Sequence, residues 1–309
     1  MDIELGQFYS RLGTVAIIIA LGFLLGKVKW ISDKTNGQIV NLLLMVFMPA
    51  ALFVAFPKDF TMEAMNMFFA GMGGGLVVSF ALIIVSLLIF NKWFYKKEEI
   101  RYESQFALIF NNATFLGYPI VATTFGQAGL IPYSGFIVIF NLSLFSYGVF
   151  LFERKLSWKL VRDTLMNPNI IAVALGMIVF LWEFQVPQVI NESLSFVGGA
   201  MTPLSLICIG FMLSKARFSV LIRKWRLFFT ALVQLTVGPT ITYFLLFGLG
   251  FPSEVVIVCT LIQALPTATS LGLFAKKYSG NETEASELVT ISTIMSVVTL
   301  PIIIGIFLS

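Results

Sequence analysis

Long runs of apolar residues, almost free of charged side chains, constrain this chain more than any other feature. Residues 76–90, LVVSFALIIVSLLIF, carry no charge at all. Of the 309 residues, 58% are hydrophobic and 12% are charged, against roughly 45–50% and about 25% in soluble domains. A segment that spans lipid must be a helix or part of a closed barrel, because no water satisfies its backbone, and barrel strands alternate in polarity. The sequence therefore predicts an all-α integral membrane protein.

Ten segments are long and apolar enough to be transmembrane helices, which need about 20 residues each. We number them spans 1–10, and they cover residues 8–27, 37–56, 64–91, 104–125, 133–152, 168–185, 194–214, 226–250, 254–275 and 286–308. The N-terminus carries Asp2 and Glu4 where a signal peptide has a basic region. We therefore expect span 1 to be retained in the mature protein.

Basic residues are distributed unequally between the two sides of this arrangement. Of the 20 Lys and Arg residues, 18 fall near the loops that follow the odd-numbered spans, and only Arg11 and Lys58 fall on the other side. Short loops rich in Lys and Arg stay in the cytoplasm. The sequence thus predicts a multi-pass protein of the cell membrane, plasma or inner, with both termini outside. Loop placement also explains the net charge of +4, so no nucleic-acid partner is expected.

The ten spans divide into two halves of five. We predict a first five-helix repeat at 1–152, a cytoplasmic linker at 153–167 and a second five-helix repeat at 168–309. Because each repeat holds an odd number of spans, the two repeats would have opposite orientations in the membrane. This arrangement is typical of secondary transporters.

Prolines occupy corresponding places in the two halves. Pro49 and Pro203 lie in the second span of each half, 154 residues apart, and Pro119 and Pro266 lie in the fourth, 147 residues apart. A single proline is typical of a simple kink. Four at matching positions favour discontinuous helices, whose freed backbone groups line a transporter's binding site. We therefore expect span 4 to break at Pro119 and span 9 at Pro266.

Polar, uncharged residues cluster around these two expected breaks. Amides and hydroxyls can orient a polar solute without the desolvation cost of a buried charge. Asn111 and Asn112 would point about 100° apart on a helix, so one of them is expected to face the site, with Asn112 preferred. The candidate substrate-binding residues are Asn111, Asn112, Thr114, Tyr118, Pro119, Gln263, Pro266, Thr267, Thr269 and Ser270. The candidate helix-breaking or structural residues are Pro49, Gly117, Pro203 and Gly272.

Ionisable residues are missing from the centres of the spans. Glu103, Glu183, Glu254 and Glu287 lie at span edges, where we expect solvated interface residues. Carboxylate-based coupling to sodium or protons is therefore disfavoured, and an anionic substrate would be held by helix N-termini and amides. The chain has no histidine and no recognisable nucleophile–base pair, so we expect no enzymatic activity, no catalytic residue, no metal site and no cofactor.

Four segments carry a resemblance to the auxin efflux carrier family, which includes plant auxin exporters and bacterial malate or malonate permeases. They are NLLLMVFMPAALF, FNNATFLGYP, TPLSLICIGFMLS and ALPTATSLGLFAKKY, in spans 2, 4, 7 and 9. The resemblance covers essentially the whole chain, and the last two segments are the most specific.

The resemblance implies a fold similar to bile acid symporters and sodium/proton antiporters, with spans 4 and 9 broken and crossing. It implies a scaffold of spans 1, 2, 6 and 7, which forms a homodimer interface, and a transport domain of spans 3–5 and 8–10 that moves as an elevator. The expected partners are a small organic anion, such as malate or malonate, and the lipid bilayer. A sodium-coupled symporter of the same fold and a non-transporting membrane sensor or scaffold are the alternatives.

Overall fold

The computed structural model describes residues 5–56, 61–93, 95, 98–153, 162, 165–215, 224–277 and 281–307, with the backbone alone at residues 5–12, 99, 273, 276 and 277. Within these ranges the chain is helical. The helices are α1 (Leu5–Lys27), α2 (Asp33–Phe53), α3 (Met62–Ile89), α4 (Glu98–Ile109), α5 (Ala113–Glu153), α6 (Pro168–Leu181), α7 (Gln188–Lys215), α8 (Trp225–Gly248), α9 (Ser253–Gln263), α10 (Ser270–Lys277) and α11 (Glu282–Phe307).

Six of these helices are long and apolar enough to cross a membrane: α2, α3, α5, α7, α8 and α11. Shorter apolar stretches lie at Gly13–Lys27 in α1 and along α6 and α9. Large hydrophobic side chains point outward, among them Ile17 at 72% exposure and Phe196 at 87%. An apolar exterior suits lipid rather than water, so the chain is a multi-pass membrane protein. The count of ten crossings and the inverted repeat stay predictions.

Several helices contain local irregularities at proline or glycine. Pro49 is the second residue after a π-helical turn at Leu43–Phe47 in α2. This turn accommodates the missing N–H without ending the helix. Ala200 interrupts α7, and Pro203 lies in the first helical turn after this interruption. A missing N–H costs nothing in the first turn of a helix. Gly126 bends α5 with φ +59° and ψ −144°, a conformation that only glycine adopts readily.

The described chain forms two compact units. The first unit comprises residues 5–56, 61–72, 114–138 and 165–215, and the second comprises residues 73–93, 95, 98–113, 139–153, 162, 224–277 and 281–307. Spans 1, 2, 6 and 7 thus belong to the first unit and spans 8–10 to the second, whereas spans 3, 4 and 5 each contribute residues to both. The unit boundaries therefore fall inside α3 and α5.

Close backbone contact holds α1 against α7 in the first unit. A Cβ on Gly22 would lie 2.1 Å from the carbonyl oxygen of Ile207, and a Cβ on Gly210 would lie 2.0 Å from that of Ile19. Small residues let membrane helices approach until their backbones touch, which maximises dispersion contact where lipid removes the hydrophobic driving force. These glycines are therefore structural requirements of the first unit.

An aromatic cluster forms part of the core of the second unit. Phe106 packs against Phe110 with ring centroids 4.9 Å apart and against Phe274 at 5.3 Å, and Phe110 meets Phe140 edge to face at 5.9 Å. These distances lie in the favourable range for aromatic pairs. The cluster joins α4, α5 and α10 immediately beside the points where α4 and α9 end.

Candidate functional site

The chain leaves α4 after Ile109 and resumes a helical course at Ala113. The prediction that span 4 breaks at Pro119 is therefore wrong in position, because Pro119 is the second residue of the α-helical part of α5 that begins at Tyr118. A proline is tolerated there since the first N–H groups of a helix have no partner. The five residues before Tyr118 form a π-helical turn, Ala113–Gly117, instead of a break.

The second interruption separates α9 from α10. Helix α9 ends at Gln263 and α10 begins at Ser270, so Leu265 and Pro266 lie in the gap where the sequence places the break in span 9. Leu265 donates its N–H to the carbonyl of Ile262 at 3.2 Å. That carbonyl would face the missing N–H of Pro266 in a continuous helix, so the proline determines where α9 stops.

The two interrupted segments pair with each other. Asn111 and Thr267 form an antiparallel bridge, in which the N–H of Asn112 donates to the carbonyl of Pro266 at 2.7 Å and that of Ala268 donates to the carbonyl of Phe110 at 3.0 Å. Backbone groups exposed by a broken helix cannot remain unpaired in the membrane. Each break therefore satisfies the other, and non-local pairing fixes where α4 ends.

Side chains from two further helices hold this pairing in place. Asn111 donates its Nδ2 to Gln263 Oε1 at 2.6 Å, Gln234 on α8 donates to the carbonyl of Leu265 at 2.5 Å, and Ser292 on α11 accepts the N–H of Thr267 at 3.1 Å. Gln234 and Ser292 were not among the candidate residues. Their only sequence signal is that they are polar within apolar spans, which is equally typical of helix-to-helix hydrogen bonds.

Asn111 and Asn112 occupy different environments. Neither lies on a helix: Asn111 forms the bridge to Thr267 and Asn112 lies in the bend that follows it. The expected separation of about 100° around a helix axis therefore does not apply. Asn111 is 1% exposed and bonds Gln263. Asn112 is 7% exposed, and its side chain makes no hydrogen bond to any residue that the structure describes. Asn112 is thus the amide available to a solute.

Several buried oxygens beside the paired breaks lack a hydrogen-bond partner among the described residues. They are Asn111 Oδ1, Gln234 Oε1, Thr260 Oγ1 and Thr267 Oγ1, and each residue is at most 1% exposed. Leaving such an atom unpaired costs about 1–3 kcal/mol. All four belong to uncharged groups that can accept a hydrogen bond or coordinate a cation.

Helix ends place partial charges around the pairing. α4 and α9 end at it, contributing the negative ends of their dipoles, while α10 begins just after it and contributes a positive end. Thr269 and Ser270 lie at the start of α10, where both are half-buried. The site therefore offers positive potential for an anion and carbonyl oxygens for a cation without any ionised side chain.

The remaining candidate residues do not join this cluster. Thr114, Tyr118 and Pro119 belong to the first unit, where the ring of Tyr118 packs edge to face on Tyr133 at 5.9 Å. Gly117 closes the π-helical turn of α5. Gly272 lies inside α10, where a Cβ would lie 3.3 Å from Ser286 Oγ, so Gly272 serves packing and does not break a helix.

Glu103 departs from the expectation that acidic residues at span edges are solvated. It lies on α4 with 0% exposure, and its Oε1 accepts the N–H of Asn281 at 2.7 Å. Asn281 directly precedes α11 and caps it by accepting the N–H of Glu284 at 3.2 Å. The carboxylate thus stabilises a helix N-terminus, where negative charge is favourable. The other edge residues Glu183 and Glu254 are exposed or half-buried, as expected.

Comparison with known proteins gives a family match over nearly the whole chain. The sequence model of a family described as membrane transport protein matches residues 8–159 and again residues 153–304. The two matched stretches are equal in length, and they overlap at residues 153–159, within the predicted linker.

Individual relatives are transporters without an assigned substrate. The chain is 27% identical to an uncharacterized transporter of Methanothermobacter thermautotrophicus over 62% of this chain and 63% of the relative, and 23% identical to the uncharacterized transporter MJ1031 of Methanocaldococcus jannaschii over 65% and 67%. It is 29% identical to the uncharacterized sodium-dependent transporter YocS of Bacillus subtilis over 32% and 31%. The chain thus spans less than two thirds of the length of two of these relatives.

Proposed function

Because the chain belongs to the membrane transport protein family, that of the auxin efflux carriers, we propose that it is a secondary transporter that carries a small organic anion across the cell membrane. The substrate class is a carboxylate such as malate or malonate. Family membership and the transporter relatives support transport and give no indication of catalysis.

One observation carries the choice of an anion. Two paired helix breaks bring the N-terminal end of α10 close to Asn112, whose side-chain amide has no hydrogen bond to any residue that the structure describes. Helix N-termini stabilise anions through oriented N–H groups, and an amide can donate to a carboxylate oxygen without charge. Thr269 and Ser270, at the first turn of α10, add hydroxyl donors. Transport of such an anion can be driven by the membrane potential, worth about 2.3 kcal/mol per charge per 100 mV.

Uptake into proteoliposomes tests this proposal. Radiolabelled malate and malonate are offered while a potassium gradient with valinomycin sets the potential, and Asn112→Ala is compared with the parent. A hydrogen bond to a charged group contributes about 1.5–3 kcal/mol, so the variant should raise KM at least about tenfold. Asn41→Ala is the matched control, because Asn41 is exposed on α2 in the first unit. An unchanged KM in Asn112→Ala would refute the assigned role of this amide.

Alternating access by an elevator movement is part of the proposal. The first unit would serve as the scaffold and homodimer interface, and the second would carry the substrate. Both native cysteines, Cys208 and Cys259, are buried, so a cysteine introduced at position 112 provides a selective label. An impermeant thiol reagent should reach that cysteine from either side of the membrane, and substrate supplied well above the raised KM of this variant should slow the labelling. Labelling from one side alone under all gradients would contradict alternating access.

A sodium-coupled symporter is the second candidate. The unpartnered oxygens of Asn111, Gln234, Thr260 and Thr267 favour it, since uncharged side-chain and unwound backbone oxygens coordinate Na⁺ in broken-helix transporters. YocS, described as sodium-dependent, adds support. Replacing sodium by choline distinguishes the two candidates: a symporter loses uptake, whereas a potential-driven anion carrier does not.

A further inference from the structure

A cavity with a largely apolar lining lies in the second unit, away from the paired breaks. Its volume is about 450 Å³, and it opens between the C-terminal end of α3, the first turns of α4 and the last turns of α5. Lys92, Arg101, Gln105 and Tyr147 contribute its polar wall, while Leu87 and Phe150 form an apolar rim. The charge distribution of the sequence places this end of α3 on the cytoplasmic side.

Arg101 is the most unusual residue of this cavity because it is only 6% exposed. Its Nη2 donates to Glu98 Oε1 at 3.1 Å and to the hydroxyl of Tyr102 at 2.8 Å. Its Nε and Nη1 make no hydrogen bond to any residue that the structure describes. A guanidinium offers five donors in a planar fork that matches a phosphate or a carboxylate. Nε and Nη1 lie on different edges of the guanidinium, so Arg101 provides each of them as a separate donor to an oxyanion.

The surroundings of the cavity favour an anion that is attached to lipid. Leu87 is 50% exposed and Phe150 is 41% exposed, so the rim continues directly onto the apolar exterior of the protein. Trp93, two residues beyond Asn91, is 95% exposed, as is typical of aromatic residues at the headgroup level. A soluble anion gains nothing from such a rim, whereas acyl chains would lie along it.

We propose that this cavity binds the phosphate headgroup of an anionic phospholipid of the cytoplasmic leaflet. Arg101 would bind the phosphate oxygens, Lys92 would add charge at the entrance, and Leu87 and Phe150 would contact the acyl chains. Basic pockets between helices on the cytoplasmic side select anionic headgroups in this way.

Native mass spectrometry of the delipidated full-length protein tests the proposal. Phosphatidylglycerol and phosphatidylcholine are titrated separately, and we expect the parent to bind the anionic lipid several times more tightly. Arg101→Gln should weaken phosphatidylglycerol binding about tenfold or more without changing phosphatidylcholine binding. Lys34→Gln is the matched control, because Lys34 is an exposed basic residue on the same predicted side and does not line the cavity.

Three outcomes would overturn the proposal. Equal binding of the two lipids by the parent excludes headgroup selection, and equal phosphatidylglycerol binding by Arg101→Gln excludes the assigned site. If glycerol 1-phosphate alone protected the protein from thermal unfolding as well as phosphatidylglycerol does, the ligand would be a soluble anion instead of a lipid. If Arg101→Gln does not fold, Lys92→Gln decides, since Lys92 is exposed: a loss of several-fold supports the site, and no loss rejects it.

Discussion

The hydrogen bond between Asn111 and Gln263 gives the sharpest test of the paired breaks. Both residues are almost fully buried, at 1% and 2% exposure, and Nδ2 lies 2.6 Å from Oε1. Asn111→Ala leaves Gln263 Oε1 without its donor, and Gln263→Ala leaves Asn111 Nδ2 without its acceptor. Each single substitution should therefore lower the free energy of unfolding by about 1–3 kcal/mol, the cost of one unsatisfied buried group.

The double variant should lose less than the sum of the single variants, because neither partner is then left unpaired. Side-chain hydrogen bonds between membrane helices have coupling energies of about 0.6 kcal/mol on average and about 1.7 kcal/mol at most. A short bond between two almost fully buried groups belongs in the upper half of that range. We expect a coupling free energy of about 1 kcal/mol, equivalent to about a fivefold change in the folding equilibrium constant.

Equilibrium unfolding in mixed detergent micelles measures all four corners of this double-mutant cycle. Asn111→Ala with Gln127→Ala is the control cycle, because Gln127 is exposed and its amide bonds the carbonyl of Ala55 in the first unit. Additivity within about 0.3–0.5 kcal/mol is expected for this control. The same additivity for Asn111 with Gln263 would refute the hydrogen bond and with it the described pairing of the breaks.

Three further substitutions test other parts of the structure. Ser292→Ala removes the acceptor of the Thr267 N–H and should lower the free energy of unfolding by about 1–3 kcal/mol; an unchanged denaturation midpoint would contradict that contact. Gly22→Ala forces a Cβ onto facing backbone and should destabilise by about 2 kcal/mol, whereas Gly13→Ala, with open space around it, should not; equal melting temperatures would refute close helix contact. The Glu287 hydrogen bond raises the pKa of Lys224. The stabilisation by this ion pair, which Lys224→Met removes, should therefore be present at neutral pH and disappear as the pH rises through that raised pKa. A difference in stability between the parent and Lys224→Met that does not change while Lys224 titrates would disprove the ion pair.

The predictability of the two breaks differed for a physical reason. The break before α10 follows from Pro266 alone, since a missing N–H and a ring clash are local properties of the sequence. The break after Ile109 depends on backbone groups some 155 residues further along the chain, which no local pattern reveals. Pro119 therefore indicated the correct region and the wrong residue. The apolar spans could be located because lipid imposes a length and a polarity on each of them.

Individual polar residues were harder to assign than the site as a whole. Gln234, Ser292 and Asn111 look alike in the sequence, as uncharged polar residues within apolar spans. Their roles depend on which atom a side chain reaches, and that follows from helix rotation and packing. Glu103 illustrates the same limit, because its burial results from α11 beginning beside it and not from its place at a span edge.

The pairing of the two breaks has a consequence for biosynthesis. Phe110 and Asn112 are made well before Pro266 and Ala268, with which their backbone groups bond. At about 5–20 residues per second, translation leaves the first break without its partner for roughly 8–30 s. During that interval the polar segment needs water or the insertion machinery to satisfy it. The first half should therefore be a ready substrate for quality-control proteases when the ribosome stalls before residue 268.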